Sequence, residues 1–291
     1  YGARLAAGVA APSFSPAAHA TGPNIILIAI DALRADYLKL HANDAVPDTP
    51  RLDEFARDSV FFKNAFAQAS WTKPSFATVF SSRYPESHTA TGNISPLPES
   101  IVTFPELLLE QGYYTQGFVN NPNIGAHFGF DQGFVDYTFL KPRAAFFAGP
   151  SASKLTGYEI LRRVKTRVLR RFSDRVDVTE AYQPAPVVTR DALAWLDSAG
   201  RPKDAPFFLF LHYMDPHDPF MDHTRPGVGY ARVRMNNPDP DRYLVPMRDA
   251  YYSEIEYLDE HLGALFDGLR QRGLYDGAVI LFTSDHGEEF Y

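Results

Sequence analysis

Three stretches of the chain are apolar with no alternation of polar and apolar positions: residues 24–30, 206–211 and 278–282. Runs of this length and pattern predict strands buried on both faces of a parallel sheet. Residues 113–119 predict a fourth strand, broken by Asn120-Asn121-Pro122-Asn123, and residues 60–62 a short fifth. Between them lie helical signals. Thr49-Pro50 is a cap-then-proline start for a helix over Arg51-Leu52-Asp53-Glu54-Phe55-Ala56, and residues 104–111 form another helix, stopped by Gly112. Residues 187–198 follow, then an amphipathic helix over 250–272 with Ile255, Leu258, Leu262, Leu265, Phe266 and Leu269 on its apolar face. Strands alternating with helices in a chain of 291 residues, 45% of them hydrophobic, predict a single α/β unit.

Two segments stand apart from this alternation. Residues 1–22 are rich in small apolar residues, and Ala18-His19-Ala20 has the form of a signal-peptide cleavage site, so this part reads as the remnant of an export signal or a membrane-proximal linker. The protein is accordingly expected to be exported: periplasmic, extracellular or membrane-associated. The chain starts at Tyr1 without a methionine and reads as part of a longer protein. At about 139–186 the composition changes, and residues 160–172 carry Arg162, Arg163, Arg167, Arg170 and Arg171 between apolar positions. This basic amphipathic helix is the solvated face of an insertion, a lid over an anionic substrate, or a contact with a membrane surface.

Charge and composition narrow the chemistry. A net charge of −7 with both signs interspersed leaves no footprint for nucleic acid. The absence of cysteine removes disulfides, thiolate metal sites and a cysteine nucleophile together.

The ends of the buried runs carry the candidate chemistry. Residues 24–30 lead into Asp31-Ala32-Leu33-Arg34, residues 206–211 into His212-Tyr213-Met214-Asp215-Pro216-His217, and residues 278–282 into Thr283-Ser284-Asp285-His286-Gly287-Glu288. In open α/β sheets the carboxyl ends of the strands form the ligand crevice. Asp31 is alternatively a helix cap, and His217 a loop histidine bonded to a neighbouring aspartate. In Ser70-Trp71-Thr72-Lys73-Pro74-Ser75-Phe76 a hydroxyl precedes a proline and an apolar run, which places Thr72 at a helix N-terminus where backbone N–H groups favour an anion. Thr72 or Ser70 could equally be a simple N-cap. Two carboxylates, an imidazole and a threonine oxygen at one rim suit a divalent cation, beside which a hydroxyl loses its proton more readily.

In order along the chain, Ile28-Ala29-Ile30-Asp31-Ala32-Leu33-Arg34-Ala35-Asp36 with Thr49-Pro50, Thr72-Lys73-Pro74-Ser75 with Ser82-Arg83-Tyr84-Pro85 and His88, Gly112-Tyr113-Tyr114-Thr115, His212 to His217, and Thr283 to Glu288 resemble the sulfatase family of the alkaline phosphatase superfamily. The resemblance runs from about Pro23 to the end of the chain. It implies an α/β sandwich, with a mixed, largely parallel sheet between helices, and a smaller C-terminal subdomain after Tyr291. It also implies one divalent metal ion held by Asp31, Asp285 and His286 with Thr72 beside it, Thr72 in the nucleophile position, and His217 assisting a leaving group. Lys73, Arg83, Asn121, His212 and Asp215 are the substrate-binding residues it suggests.

This sequence departs from the family pattern at four places. Sulfatases that act on sulfate esters carry Cys or Ser where Thr72 stands, oxidised to formylglycine, and threonine cannot become that aldehyde. An arginine four residues later is Phe76 here. Val119-Asn120-Asn121 replaces a Gly-Lys-Trp-His segment, leaving Asn121 as a neutral substitute. Ala32 stands where a second aspartate is frequent, and Asp285-His286 replaces the Asp-Asn pair of calcium-binding members, which favours manganese or zinc over calcium. These departures resemble threonine-nucleophile branches that transfer phosphoryl groups. The expected activity is therefore metal-dependent cleavage of phosphate-type esters, by hydrolysis or transfer, on an anionic substrate that is lipid-linked or a glycan. A sulfuric ester hydrolase without formylglycine and an inactive anion-binding protein are the alternatives.

Overall fold

The computed structural model describes residues 21–41, 46–142, 182–225, 229–230 and 241–290, without the side chains of 241–243. The expectations for residues 1–20 and for the basic helix at 160–172 lie outside the described residues. Strands β1 (Asn24–Ile30), β2 (Tyr114–Val119), β3 (Asp136–Phe139), β4 (Phe207–Tyr213) and β7 (Ala278–Ser284) form one sheet in the order β3-β2-β4-β1-β7. Every pairing in that sheet is parallel. Strands β5 (Phe220–Met221) and β6 (Gly229–Tyr230) make a separate antiparallel ribbon.

Six α-helices accompany the strands among the described residues: α1 (Pro50–Arg57), α2 (Thr72–Ser81), α3 (Pro85–His88), α4 (Phe104–Glu110), α5 (Ala185–Asp197) and α6 (Asp241–Gln271). They divide the sheet into two apolar faces according to the period of two along each strand. Ile26, Ile28, Ile30, Leu209 and Leu211 pack with Val188 and Ala192 of α5 and with Ile255, Leu258, Leu262 and Leu265 of α6. Leu27, Ala29, Phe208 and Phe210 turn the other way, onto Phe76, Ala77 and Phe80 of α2 and onto Phe130 and Phe134. Each large side chain withdrawn from water in this way contributes about 1.5–3 kcal/mol. This is the helix-flanked, largely parallel α/β architecture that the apolar runs predicted. No helix among the described residues is long and apolar enough to cross a membrane.

Three elements differ from expectation. Residues 60–62 form no strand, and Val60 and Phe62 stand 83% and 74% exposed. Their β-prone side chains find no strand to pair with, and propensity alone does not make a sheet. Strand β7 lies at the sheet edge, with Ala278, Ile280 and Phe282 packed on the α5/α6 side and Val279 and Leu281 open on the other. The long helix starts at Asp241 rather than at 250, with Pro246 inside it. Proline there removes a single backbone bond near the helix start, which packing against the sheet offsets.

Candidate active site

Strand parity decides where the first carboxylate points. Because Leu27 and Ala29 face α2, the next odd position, Asp31, faces α2 as well. The register reinforces this, since Asp31 N donates to the Tyr213 carbonyl at 2.9 Å and Asp285 N to the Ile30 carbonyl at 3.4 Å. Ala32 then takes a left-handed turn with φ of 60°, held by its N–H on Asp285 Oδ1 at 3.1 Å and by Tyr251 Oη donating to its carbonyl at 2.8 Å. A non-glycine residue in that region is strained, and the strain persists because bonds on both sides of Ala32 define it.

Thr72 is the first residue of α2, and the capping position belongs to Trp71, which makes no side-chain cap bond. The Thr72 hydroxyl is thus not a cap. Its Oγ1 donates to Asp31 Oδ2 at 3.4 Å, accepts from Asn121 Nδ2 at 3.2 Å, and lies 3.5 Å from His286 Nε2. Asn121 also donates to Asp31 Oδ2 at 2.8 Å. The Ser75 hydroxyl, one turn along α2, donates to the Asp285 carbonyl and so ties the helix to the end of β7.

One ligand atom from each of Asp31, Asp285 and His286 lies within 4.8 Å of the other two. Asp31 Oδ1 and Asp285 Oδ2 are buried and accept no hydrogen bond among the described residues. Leaving carboxylate oxygens dry and unbonded is costly, and a cation between them removes that cost. His286 Nδ1 donates to the Gly287 carbonyl at 2.6 Å, which leaves Nε2, 3.4 Å from both Asp31 Oδ1 and Asp285 Oδ2, as the free ligand atom. These residues fit a divalent metal.

Without a cation, Asp285 and His286 hold protons and Asp31 does not. Burial opposes ionisation of Asp31, but His217, His212 and His286 around it hold its pKa well below the usual carboxylate range. Burial and the charge on Asp31 push Asp285 well above that range. Burial works against a charged His286, yet the two carboxylates outweigh it and raise its pKa to about 9. A metal takes neutral imidazole, so binding must release this proton. Metal affinity is expected to climb about tenfold or more per pH unit from neutrality and to level off above the His286 pKa of about 9. Chelator-competition titrations across that range would show the slope, and an affinity independent of pH would mean that His286 is not a ligand.

A cavity of about 920 Å³ opens over this cluster, lined among others by Thr72, His217, His286, Arg34 and Trp71. His217 donates from Nδ1 to the Asp218 carbonyl at 2.6 Å and holds Nε2 3.9 Å from Asp31 Oδ1. Of the residues expected from the sequence, Asp31, Thr72, Asn121, His217, Asp285 and His286 come together. His212 is close, with Nε2 3.4 Å from Asp31 Oδ2, but it is fully buried beneath Phe76 and supports Asp31 from behind instead of lining the cavity.

Three residues expected to contact substrate, Lys73, Arg83 and Asp215, lie away from the cavity lining. Lys73 is buried, its ammonium donating to the carbonyls of Gly92 and Asn93 at 3.2 and 2.7 Å over the Phe128 ring. One helical step turns a side chain by about 100°, which takes Lys73 away from the face that Thr72 presents. Arg83 is exposed beyond the far end of α2, roughly 15 Å along the helix axis from Thr72. Asp215 is buried beside His223 and Glu254 and does not line the cavity. Arg34, missed from the sequence, does line it, and its guanidinium pairs with Asp36 at 2.8 Å and donates to the Glu288 carbonyl at 3.2 Å. The position of Arg34 four residues past the end of β1 was the available signal.

A family model described as Sulfatase matches residues 23–291. Iduronate 2-sulfatase of Mus musculus is 27% identical over 314 residues, covering 91% of this chain and 54% of that protein. The multifunctional alkaline phosphatase superfamily protein PehA of Trinickia caryophylli is 24% identical over 332 residues, covering 92% of this chain and 64% of that one. Among solved structures, the phosphonate monoester hydrolase of Agrobacterium radiobacter shares the fold with a TM-score of 0.63 at 21% identity, over 92% of this chain and 63% of its own. The chain thus spans between about half and two thirds of the length of these relatives. The family match and the strand-end cluster agree, and the chain belongs to the sulfatase family of the alkaline phosphatase superfamily.

Proposed function

We propose that this chain forms the core of a metal-dependent hydrolase or transferase that cleaves phosphate-type esters, phosphodiesters or phosphomonoesters, with Thr72 as the nucleophile. The observation that carries the reading is the placement of Thr72 Oγ1 at the cavity floor, 3.4 Å from Asp31 Oδ2 and 3.5 Å from His286 Nε2. Asp31, Asp285 and His286 hold the ion, and their mixed nitrogen and oxygen donors favour manganese or zinc over calcium. When bound, such an ion eases loss of the hydroxyl proton and offsets charge on the phosphoryl oxygens. Thr72 Oγ, its proton released to solvent in the cavity, forms the new bond to phosphorus as the bond to the departing alkoxide breaks in line with it. Asn121 Nδ2 orients that oxygen, the α2 N-terminus and Arg34 face the anionic group, and His217 Nε2 gives the alkoxide its proton. Water or an acceptor alcohol then forms a new bond to phosphorus, giving its proton to His217 Nε2, as the bond to Thr72 Oγ breaks and that oxygen is protonated again.

The choice of phosphorus over sulfur rests on the exit from the covalent state. A sulfated formylglycine hydrate collapses to an aldehyde, and a sulfated threonine has no such route, whereas a phosphothreonine can be displaced in line. The second reading, a sulfuric ester hydrolase, draws on the likeness to iduronate 2-sulfatase. The substrate is an anionic ester, lipid-linked or on a glycan, met outside the cytoplasm. Quenching the enzyme during turnover of a phosphodiester and, separately, of an aryl sulfate, then weighing the Thr72 peptide by mass spectrometry, separates the readings. Phosphorylated Thr72 from the diester supports the proposal. Modification and repeated turnover with the sulfate alone would replace it by the sulfatase reading, and inertness toward both would leave an anion-binding protein.

A further inference from the structure

A second set of metal-ligating groups lies outside the active site. Asp215, at the start of the turn that carries His217, and Glu254, in the middle of α6, are 1% and 0% exposed. With His223 they bring one ligand atom each to within 4.8 Å of one another. Two carboxylates are buried here side by side, and among the described residues the single ion pair that either makes is Glu254 Oε2 with His223 Nε2, at 3.1 Å. A pair of buried carboxylates facing one imidazole is undercompensated, since taking charge out of water costs more than one partly exposed histidine returns.

Two features show donors held for something. Asp215 Oδ2 is buried and has no hydrogen-bond partner among the described residues, although side chains of this kind rarely stay unsatisfied. The other donors are fixed by their surroundings. Glu254 Oε1 accepts from Met221 N at 2.7 Å, His223 N donates to Ser253 Oγ at 2.8 Å, and the His223 ring is stacked on Tyr257 with centroids 3.7 Å apart. Ligands oriented by bonds and packing of their own are the usual setting of a bound metal.

We propose that Asp215, His223 and Glu254 hold a second divalent cation that fastens the segment from β4 to β5, and with it His217, to α6. One nitrogen and two carboxylate oxygens suit zinc or manganese, with water completing the shell. The ion is structural. It touches no cavity residue and fixes the backbone two residues before His217, so this site stands independently of the phosphoryl chemistry proposed for Thr72.

Metal content per chain, measured by mass spectrometry after dialysis of the holoprotein against low zinc or manganese, tests it. The wild type should hold about two ions, Asp31→Asn about one, Glu254→Gln about one, and the double variant none. Circular dichroism checks that each variant is folded. If Glu254→Gln is not, His223→Phe, which keeps the stack on Tyr257 and removes only the nitrogen donor, is scored in its place. The melting temperature of Asp31→Asn should still rise when metal is added, and that rise should disappear in the double variant. A single ion in the wild type, lost in Asp31→Asn and unaffected by Glu254→Gln or His223→Phe, overturns the second site, assigns protons to the two carboxylates, and leaves the catalytic reading standing. An ion lost only through Glu254 and His223, with Asp31→Asn indistinguishable from wild type, would uphold this site and remove the catalytic one.

Discussion

Thr72→Ala is expected to lower kcat by about 10⁴-fold or more while metal content stays near that of the unaltered protein. Removal of a nucleophile from a site whose parts act as a unit has effects of this order or larger, with the residual rate supplied by binding and electrostatics. Metal content should persist because Asp31, Asp285 and His286 are positioned by strand register and not by Thr72, whose methyl and hydroxyl sit at the start of α2. Thr72→Ser should keep the covalent intermediate, since the hydroxyl remains. Metal analysis beside steady-state kinetics decides the matter: activity within about tenfold of wild type in the alanine variant would mean that water attacks the ester directly and Thr72 only lines the floor.

Asp31→Asn is expected to fail at an earlier step. Outer-shell partners of a metal typically contribute 10–100-fold in affinity, so loss of a ligating carboxylate should cost at least about 100-fold, and turnover should fall with occupancy. Asparagine has nearly the same shape, and the helices around β1 need not move. The change also weakens the charge-assisted contact with Asp31 that does most to hold a proton on His286, whose pKa should fall from about 9 toward the ordinary histidine range. Calorimetric metal titration reads the first effect and NMR titration of the imidazole the second. Unchanged affinity would place the cation elsewhere in the cavity.

The legible part of this architecture lay in the strands that are buried on both sides. Residues 24–30 and 206–211 read as sheet because no polar position interrupts them, and the charged residues right after them had to sit at the strand ends. In β7 the apolar run carries no sign of whether a helix covers each face, and Val279 and Leu281 are open. Helix phase was the other blind spot. Lys73 adjoins Thr72 in sequence and departs from it by a quarter turn or so in space, and Arg83 follows Ser82, whose left-handed φ of 54° ends α2. Asn121, read as a neutral substitute for a missing charge, proves to bridge Asp31 and Thr72, a role that depends on where β2 ends beside β4 and not on its own chemistry.

The parity of β1 has a bearing on how the chain finds its fold. The strand is apolar on both sides, so sliding it by one residue against β4 and β7 exchanges one set of aliphatic side chains for another, and hydrophobic burial alone discriminates weakly between the two pairings. Asp31 discriminates strongly. In the slipped pairing it would face α5 and α6, an unpartnered charge among aliphatic side chains, and no cation could reach it and Asp285 together. A divalent ion that binds the native pairing favours it by about 4 kcal/mol at a thousand times its dissociation constant. With the proposed cation bound, the carboxylate that holds it would therefore also serve as an alignment key, and the cation as a ligand-driven filter against misregistered sheets.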